Sequence, residues 1–382
     1  MIATTSGTFD LLRLNAVRDV LRSSGPCITL MLPPYRPGDT AGPLSTLIKA
    51  EMRCAARQLA ERGVTKPAAE QLLEPIGKLD EDAAGSHWSR VIFRSPNVFE
   101  QFLLRQPVKT ARAIGECFSI RPLLTELALP DLFYVLALSK ERVGLLRCSG
   151  VRAEPANLPG SAPQTLTDWL AIEPPDHTLL NRSSAGPSTG AMAGVRFGTG
   201  GQREKERAYL SDFYKSIDRG VHEMLRESET PVILAGVDED IAVYRAANTY
   251  PRLIRKCISG SLDVGRDQTS TLRVAYSILQ ADVLERQATS LKIAKERSGA
   301  GRFSTDLDAI LNAAFDGRVE RLGISESAER TDVFERGDYR SLGKEDLFNL
   351  AAVQTILHNG KACSLPPELM PDKSVAAAIL RF

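Results

Sequence analysis

The chain lacks most of what marks a classical enzyme or a membrane protein. No apolar run approaches the roughly 20 residues needed to span a bilayer, and Met1 to Asp10 carries neither a basic patch nor an apolar signal core. Cytoplasm is therefore the expected compartment, and no membrane partner is expected. Six cysteines, Cys27, Cys54, Cys117, Cys148, Cys257 and Cys363, and four histidines lie far apart with no paired spacing. This excludes a recognisable zinc motif or disulfide framework and leaves reduced, buried thiols, with no metal and no cofactor expected. No Gly-x-Ser-x-Gly elbow, phosphate-loop Lys-Ser/Thr or His-Glu-x-x-His occurs. Two carboxylate pairs, Asp238 with Asp240 and Asp306 with Asp308, read as surface turns or helix N-termini, where acids collect, with metal binding as the alternative reading. The net charge of +1 leaves no global basic excess, so any nucleic-acid contact must come from a local patch.

What is present is a soluble globular composition, 43% hydrophobic and 25% charged, in 382 residues, which suggests about two or three domains. In the first third, Leu11 to Leu21 has helical spacing, Cys27 to Leu32 reads as a buried strand closed by Pro33-Pro34, and Leu44 to Arg62 and Ala68 to Leu79 read as helices. Val91 to Phe93 and Phe99 to Leu104 read as strands. Tyr35, Arg36 and Asp39 sit in a polar turn, where a partner contact is the alternative reading.

From Leu132 to Leu138 a strong strand pairs with Val143 to Cys148 as a hairpin, and Pro155 to Thr189 reads as a long exposed excursion. A helix from Glu204 to Leu225 follows, then a strand Val232 to Ala235, a helix Tyr244 to Thr249 and a turn at Ile258 to Gly260. Ser270 to Arg297 reads as a long helix. Ser304 or Thr305 is expected to cap Asp306 to Phe315, Val319 to Ile324 is a strand, and Ser325 to Leu342 a mobile loop. A helix Lys344 to Leu357 and strands Lys361 to Leu365 and Ala376 to Phe382 complete an α/β, multidomain pattern.

The organising stretch is Arg196-Phe197-Gly198-Thr199-Gly200-Gly201-Gln202-Arg203, expected as a glycine tip just before the Glu204 helix. Glycines remove Cβ atoms where a backbone must come close to another molecule. Gln202 keeps an amide that both donates and accepts hydrogen bonds. Arg196, Arg203, Lys205 and Arg207 form the local basic cluster; solvated helix-surface charges are the bland alternative. No buried strand precedes the tip, which argues against a dinucleotide loop.

Gly200-Gly201-Gln202 is the tripeptide of class-1 peptide release factors, and Gly198 to Gln202 with Arg203 and Arg207 resembles the eukaryotic and archaeal form. The likeness continues through Pro231 to Gly236, Gly317 to Leu322 and Ala376 to Phe382, and the whole order most resembles the third family of bacterial homologues of that factor within the release factor and Pelota superfamily. The resemblance implies an N-terminal α/β domain over 1–120, a ribonuclease-H-like central domain over 121–268 carrying the tripeptide, and a ribosomal-protein-like α/β/α domain over 269–382.

It further implies hydrolysis of the peptidyl-tRNA ester within the ribosome. Gln202, Gly201 and Gly200 would be the catalytic residues, and Arg196, Gly198, Arg203, Lys205 and Arg207 the RNA contacts. Ribosome and tRNA are the implied partners, with a translational GTPase as a further candidate; oligomeric state is left open. The Asn-Ile-Lys-Ser signature of the decoding domain is absent, so stop-codon reading is not carried over and ribosome rescue or quality control is the expected setting. Phe197 stands where the eukaryotic and archaeal pattern commonly has histidine, either anchoring the loop or stacking on a base. A non-catalytic ribosome or tRNA-binding factor and a tRNA-end nuclease are the alternatives.

Overall fold

The structure is a computed structural model that describes residues 10–23, 25–34, 44–79, 88–139, 142–159, 162–172, 199–260, 268–297, 301–337, 339–341 and 343–382. The polar turn with Tyr35, Arg36 and Asp39 lies outside them. The chain divides into two compact units, Met1–Leu129 with Leu279–Phe382, and Pro130–Ile278.

The N-terminal part of the first unit runs β1 (Asp10–Leu11), α1 (Leu14–Leu21), β2 (Cys27–Leu32), α2 (Leu44–Glu61), α3 (Lys66–Gly77), β3 (Ser89–Arg94), β4 (Phe99–Leu104), β5 (Ala111–Gly115) and the short helix α4 (Leu124–Ala128). The strands form one five-stranded sheet in the order β1-β4-β3-β2-β5, antiparallel except where β1 joins β4. Alternation along β2 divides its side chains between two cores. Ile28, Leu30 and Leu32 pack with Ile48 and Leu59 of α2 and Leu72, Leu73 and Ile76 of α3. Cys27 and Met31 face the opposite core with Val91, Phe93 and Phe102.

The second unit begins with an antiparallel meander, β6 (Leu132–Ala137), β7 (Gly144–Ser149) and β8 (Arg152–Ala156). It continues through α5 (Leu166–Ile172), α6 (Thr199–Leu225), β9 (Val232–Gly236), α7 (Asp238–Ala247) and β10 (Ile258–Ser259). The sheet order is β10-β9-β6-β7-β8, with β9 parallel to both β6 and β10. The residues expected as a single excursion from Pro155 therefore include the end of a third strand and a helix whose Trp169 is buried. The helix expected at Tyr244 starts six residues earlier, at Asp238. Its first turn holds Asp238, Glu239 and Asp240, where carboxylates complement the helix dipole. Gly236 ends β9 against Leu138: a Cβ there would lie 2.9 Å from the Leu138 carbonyl oxygen.

The helix α8 (Gln268–Arg297) covers the other face of this sheet with its first turns, where Phe133 and Tyr276 meet edge to face at 5.2 Å and the Tyr276 hydroxyl donates to the Gly150 carbonyl. Its later residues belong to the first unit. There the chain runs β11 (Phe303–Ser304), α9 (Leu307–Phe315), β12 (Val319–Ser325), the short strands β13 (Thr331–Asp332), β14 (Glu335–Arg336), β15 (Tyr339–Arg340) and β16 (Glu345–Asp346), then α10 (Leu347–Leu357), β17 (Lys361–Leu365) and β18 (Ala376–Leu380). The main sheet is ordered β11-β18-β12-β17. Helices α9 and α10 pack on one face of it, and Ala288 and Leu291 of α8 on the other.

Helix ends follow local chemistry. Asp306, not Ser304 or Thr305, caps α9 by accepting from the Ala309 amide at 2.7 Å, and Asp346 caps α10 by accepting from the Phe348 and Asn349 amides at 3.0 and 3.2 Å. Gly317 and Asn359 close the same helices in left-handed conformation, with φ of 68° and 63°. The stretch expected as a mobile loop holds β13 to β15, and β16, which pairs with β13, takes the residues expected to begin the next helix, so that α10 starts at Leu347. Phe334 stacks on Phe315 at 5.3 Å, and Arg336 bonds Asp316 at 2.7 Å.

The first and last thirds of the chain share one core: Val91, Phe93, Phe118 and Ile120 pack with Ile310, Leu311, Phe348 and Leu350. Polar groups bind the same seam. Buried Asn349 accepts from the Ile120 amide at 2.8 Å and donates to the Phe118 carbonyl at 3.0 Å, while Arg121 pairs with Asp346 at 2.7 Å. The six cysteines are free; Cys27, Cys148 and Cys363 are buried and Cys54, Cys117 and Cys257 half-buried. No described helix is long and apolar enough to cross a membrane.

Candidate functional site

The tripeptide does not stand ahead of the long helix but inside its first turn. Because α6 begins at Thr199, five residues before the expected Glu204, Gly200, Gly201 and Gln202 are its second, third and fourth residues. Two glycines in a helix interior would cost about 2 kcal/mol relative to alanine. A downstream apolar face that fixes the helix offsets that cost. The first amide N–H groups of a helix have no acceptor within it, so Thr199, Gly200 and Gly201 present backbone donors at the helix end. Donors and dipole together favour negative charge at that end.

Of the other expected site residues, Arg203 and Lys205 lie within α6, their side chains outside the described set, as is that of Gln202; Arg196, Phe197 and Gly198 lie outside the described residues altogether. Arg207 is exposed on α6, and Leu210 is the first residue of the helix that is described as buried. The structure thus carries Gly200, Gly201, Gln202, Arg203, Lys205 and Arg207 on one helix, about two turns from Gln202 to Leu210.

The rest of α6 is held firmly. Leu210, Phe213, Tyr214, Ile217, Val221 and Leu225, at helical spacing, are buried in the core shared with Leu136, Leu234 and Tyr244. Gly220 lets another segment come close: a Cβ there would lie 3.0 Å from the Ala162 Cβ. Within the apolar face sits Asp218, 2% exposed. It accepts from the Thr249 amide at 2.9 Å and hydroxyl at 2.6 Å, and from the Tyr244 hydroxyl at 3.4 Å. Burial first, and then the Asp218 charge, push the Tyr244 phenol well above its ordinary range. His222, one turn on, shares the Thr249 hydroxyl at 3.0 Å. This network ties α6 to the segment after α7. Its sequence signal was an acid between Ile217 and Val221 in an otherwise apolar stripe, and the sequence reading passed over it.

Among the described residues no group of three or more His, Cys, Asp or Glu side chains is placed to hold a metal ion. The arrangement is therefore a backbone donor end on a firmly seated helix that also carries Arg203, Lys205 and Arg207 in its sequence.

Residues 132–318, just under half of the chain, match the model of the bacterial archaeo-eukaryotic release factor family 3. Over that span the chain is similar to bacterial archaeo-eukaryotic release factor-like proteins. The match takes in β6 to α9 and with them the tripeptide. No curated protein matches the chain. Solved structures similar to it include archaeal translation termination factor aRF1, at 14% identity over 96% of each chain with a TM-score of 0.23. Archaeoglobus fulgidus Pelota is 12% identical over 77% of this chain and 79% of its own, with a TM-score of 0.38. S. cerevisiae Dom34, described as a translation termination-like factor interacting with Hbs1, is 11% identical over 80% and 82%, with a TM-score of 0.30. Likenesses this distant carry no residue-level inference.

Proposed function

We propose that this release factor-like protein acts on the ribosome and hydrolyses the peptidyl-tRNA ester through Gly200-Gly201-Gln202, in rescue or quality control without stop-codon reading. The observation that carries the reading is that the family match spans the tripeptide and the helix beginning one residue before it. The meander followed by two parallel strands, in the order β10-β9-β6-β7-β8, supports a ribonuclease-H-like reading of the central domain. That domain, taken as 121–268, overlaps the compact unit Pro130–Ile278. A first domain over 1–120 and a ribosomal-protein-like one over 269–382 complete the proposed division.

Ester hydrolysis needs a placed water and stabilisation of the developing oxyanion or leaving 3′ oxygen. Backbone N–H donors at the start of α6, free of Cβ atoms at Gly200 and Gly201, suit the second task, and the Gln202 amide would orient the water without exchanging a proton. Arg203, Lys205 and Arg207, together with Arg196 and Gly198, would meet RNA phosphates around the tRNA end. The surrounding catalytic groups would come from ribosomal RNA, and a translational GTPase is the candidate delivery partner in the cytoplasm.

The test is release of labelled peptide from stalled bacterial ribosomes bearing peptidyl-tRNA. Wild type should release peptide and leave the tRNA 3′ end intact, and Gln202→Ala should lose release while folding is unchanged. Ribosome binding without release by either protein would leave a binding factor. A shortened tRNA would point to a nuclease.

A further inference from the structure

The solvent face of α2 carries three cations in succession. Lys49, Arg53 and Arg57 recur every four residues, about 6 Å of helix rise apart, and all three are exposed. Among the described residues none of them joins an ion pair; of the two acids of α2, Glu51 is bound by Arg112, and Glu61, exposed at the next four-residue step after Arg57, ends the run. The neighbouring helix has the opposite habit. On α3 and just after it, Lys66 pairs with Glu70 at 3.9 Å and Lys78 with Glu74 at 2.6 Å, as a solvated helix surface usually does. Like charges at i and i+4 repel, so the α2 arrangement works against its own helix unless a polyanion covers it.

We propose that this face of α2 binds the phosphate backbone of RNA. Between and beside the cations stand Thr46, Ala50 and Ala60, short side chains that leave the guanidinium and ammonium groups proud of the surface. The large exposed apolar residues of the described chain, Val237, Val274, Ile293, Val333, Val375 and Phe382, all lie elsewhere. A protein interface would want a buried aromatic or aliphatic anchor at its centre, which this face lacks. Phosphate contacts need only spaced cations. The inference stands on the first unit alone and does not depend on hydrolysis by the tripeptide.

The experiment measures binding of the full chain to a labelled mixed-sequence single-stranded RNA across a salt series, with pelleting on purified bacterial 70S ribosomes alongside. Removing three phosphate contacts from a single strand should flatten the salt slope by about 2 and weaken binding on the order of 100-fold at about 0.1 M salt. Lys49→Ala/Arg53→Ala/Arg57→Ala should show this loss, Arg53→Glu alone a smaller loss in the same direction, and Lys66→Ala/Lys78→Ala less than about a twofold change. Circular dichroism checks that each variant is folded. An unchanged slope in the triple variant overturns the proposal, as does an equal loss in the α3 variant. So does a change confined to ribosome pelleting, which would assign the three cations to a ribosomal protein. Gln202→Ala should bind this RNA with the wild-type slope even if it releases nothing, so failure of either reading can be told from failure of the other.

Discussion

Asn349 is the point at which the union of the first and last thirds of the chain can be broken by one substitution. Its side chain, 4% exposed, accepts from the amides of Ile120 at 2.8 Å and Arg121 at 3.3 Å and donates to the Phe118 carbonyl at 3.0 Å. Asn349→Ala leaves the Ile120 N–H and the Phe118 carbonyl without these partners in a buried seam. Each orphaned group costs about 1–3 kcal/mol. The Arg121–Asp346 pair remains, so the expected loss is about 2–4 kcal/mol and not a collapse of the unit. Asn349→Asp keeps the acceptor and gives up the donor while burying a charge, and should cost at least as much at neutral pH.

The two tryptophans allow a clean reading, since Trp88 belongs to the first unit and Trp169 to the second, both buried. In a Trp169→Phe background, urea unfolding followed by fluorescence reports the first unit, avoiding a single transition fitted to two units. The Asn349→Ala midpoint should move to lower urea with an unchanged slope. A shift worth under about 0.5 kcal/mol would mean that water or relaxation satisfies both groups, and the seam would then not be specified by this amide.

Two further outcomes follow from other buried contacts. Burial pushes the Glu345 carboxyl above its usual range, against the pull of the Glu116 amide at 3.0 Å and Arg62 at 3.6 Å. A raised carboxyl favours the fold while protonated and loses that contribution as pH climbs through its folded value. Glu345→Gln should therefore be the more stable protein at neutral pH, with the gap closing as pH falls below the ordinary glutamate range, measured by urea midpoints from about pH 4 to 8. Gly236→Ala would set a Cβ 2.9 Å from the Leu138 carbonyl oxygen and should cost roughly 1–3 kcal/mol, read from Trp169 fluorescence in a Trp88→Phe background; wild-type stability would mean that the β6 and β9 ends part freely.

The parts of the fold that were legible are those whose signals are local. β2, β4 and β17 match their expected bounds because apolar runs there are closed by proline, glycine or polar residues. β5 was missed because Ala111 to Gly115 has a single large apolar residue, Ile114, and its strand character comes from pairing with the distant β2. β8 was hidden by Pro155, which an edge strand tolerates because no neighbour needs its missing N–H. The start of α6 was missed for the same kind of reason. Two glycines lower the local helix signal, while the packing that sustains the helix lies downstream at Leu210 to Leu225.

The buried polar groups separate along the same line. Asp218 could have been found, since an acid inside an apolar helical stripe needs a partner. Glu345 and Asn349 could not, since the groups they satisfy, the amides of Glu116 and Ile120, lie 229 residues away in sequence. Gly200-Gly201-Gln202 is the opposite case: its chemistry was suggested by likeness alone, and what the fold adds is mechanical. A helix seated through Asp218 and Leu210 to Leu225 fixes the direction in which its first turn points. Gly200 and Gly201 are the two places in that turn where no Cβ restricts approach, so moving the seat and altering the tip should have separable effects. Asp218→Asn can keep one oxygen for the two Thr249 bonds while giving up the acceptor of the Tyr244 hydroxyl, and should spare the tip, whereas Gln202→Ala removes the amide and leaves the seat intact.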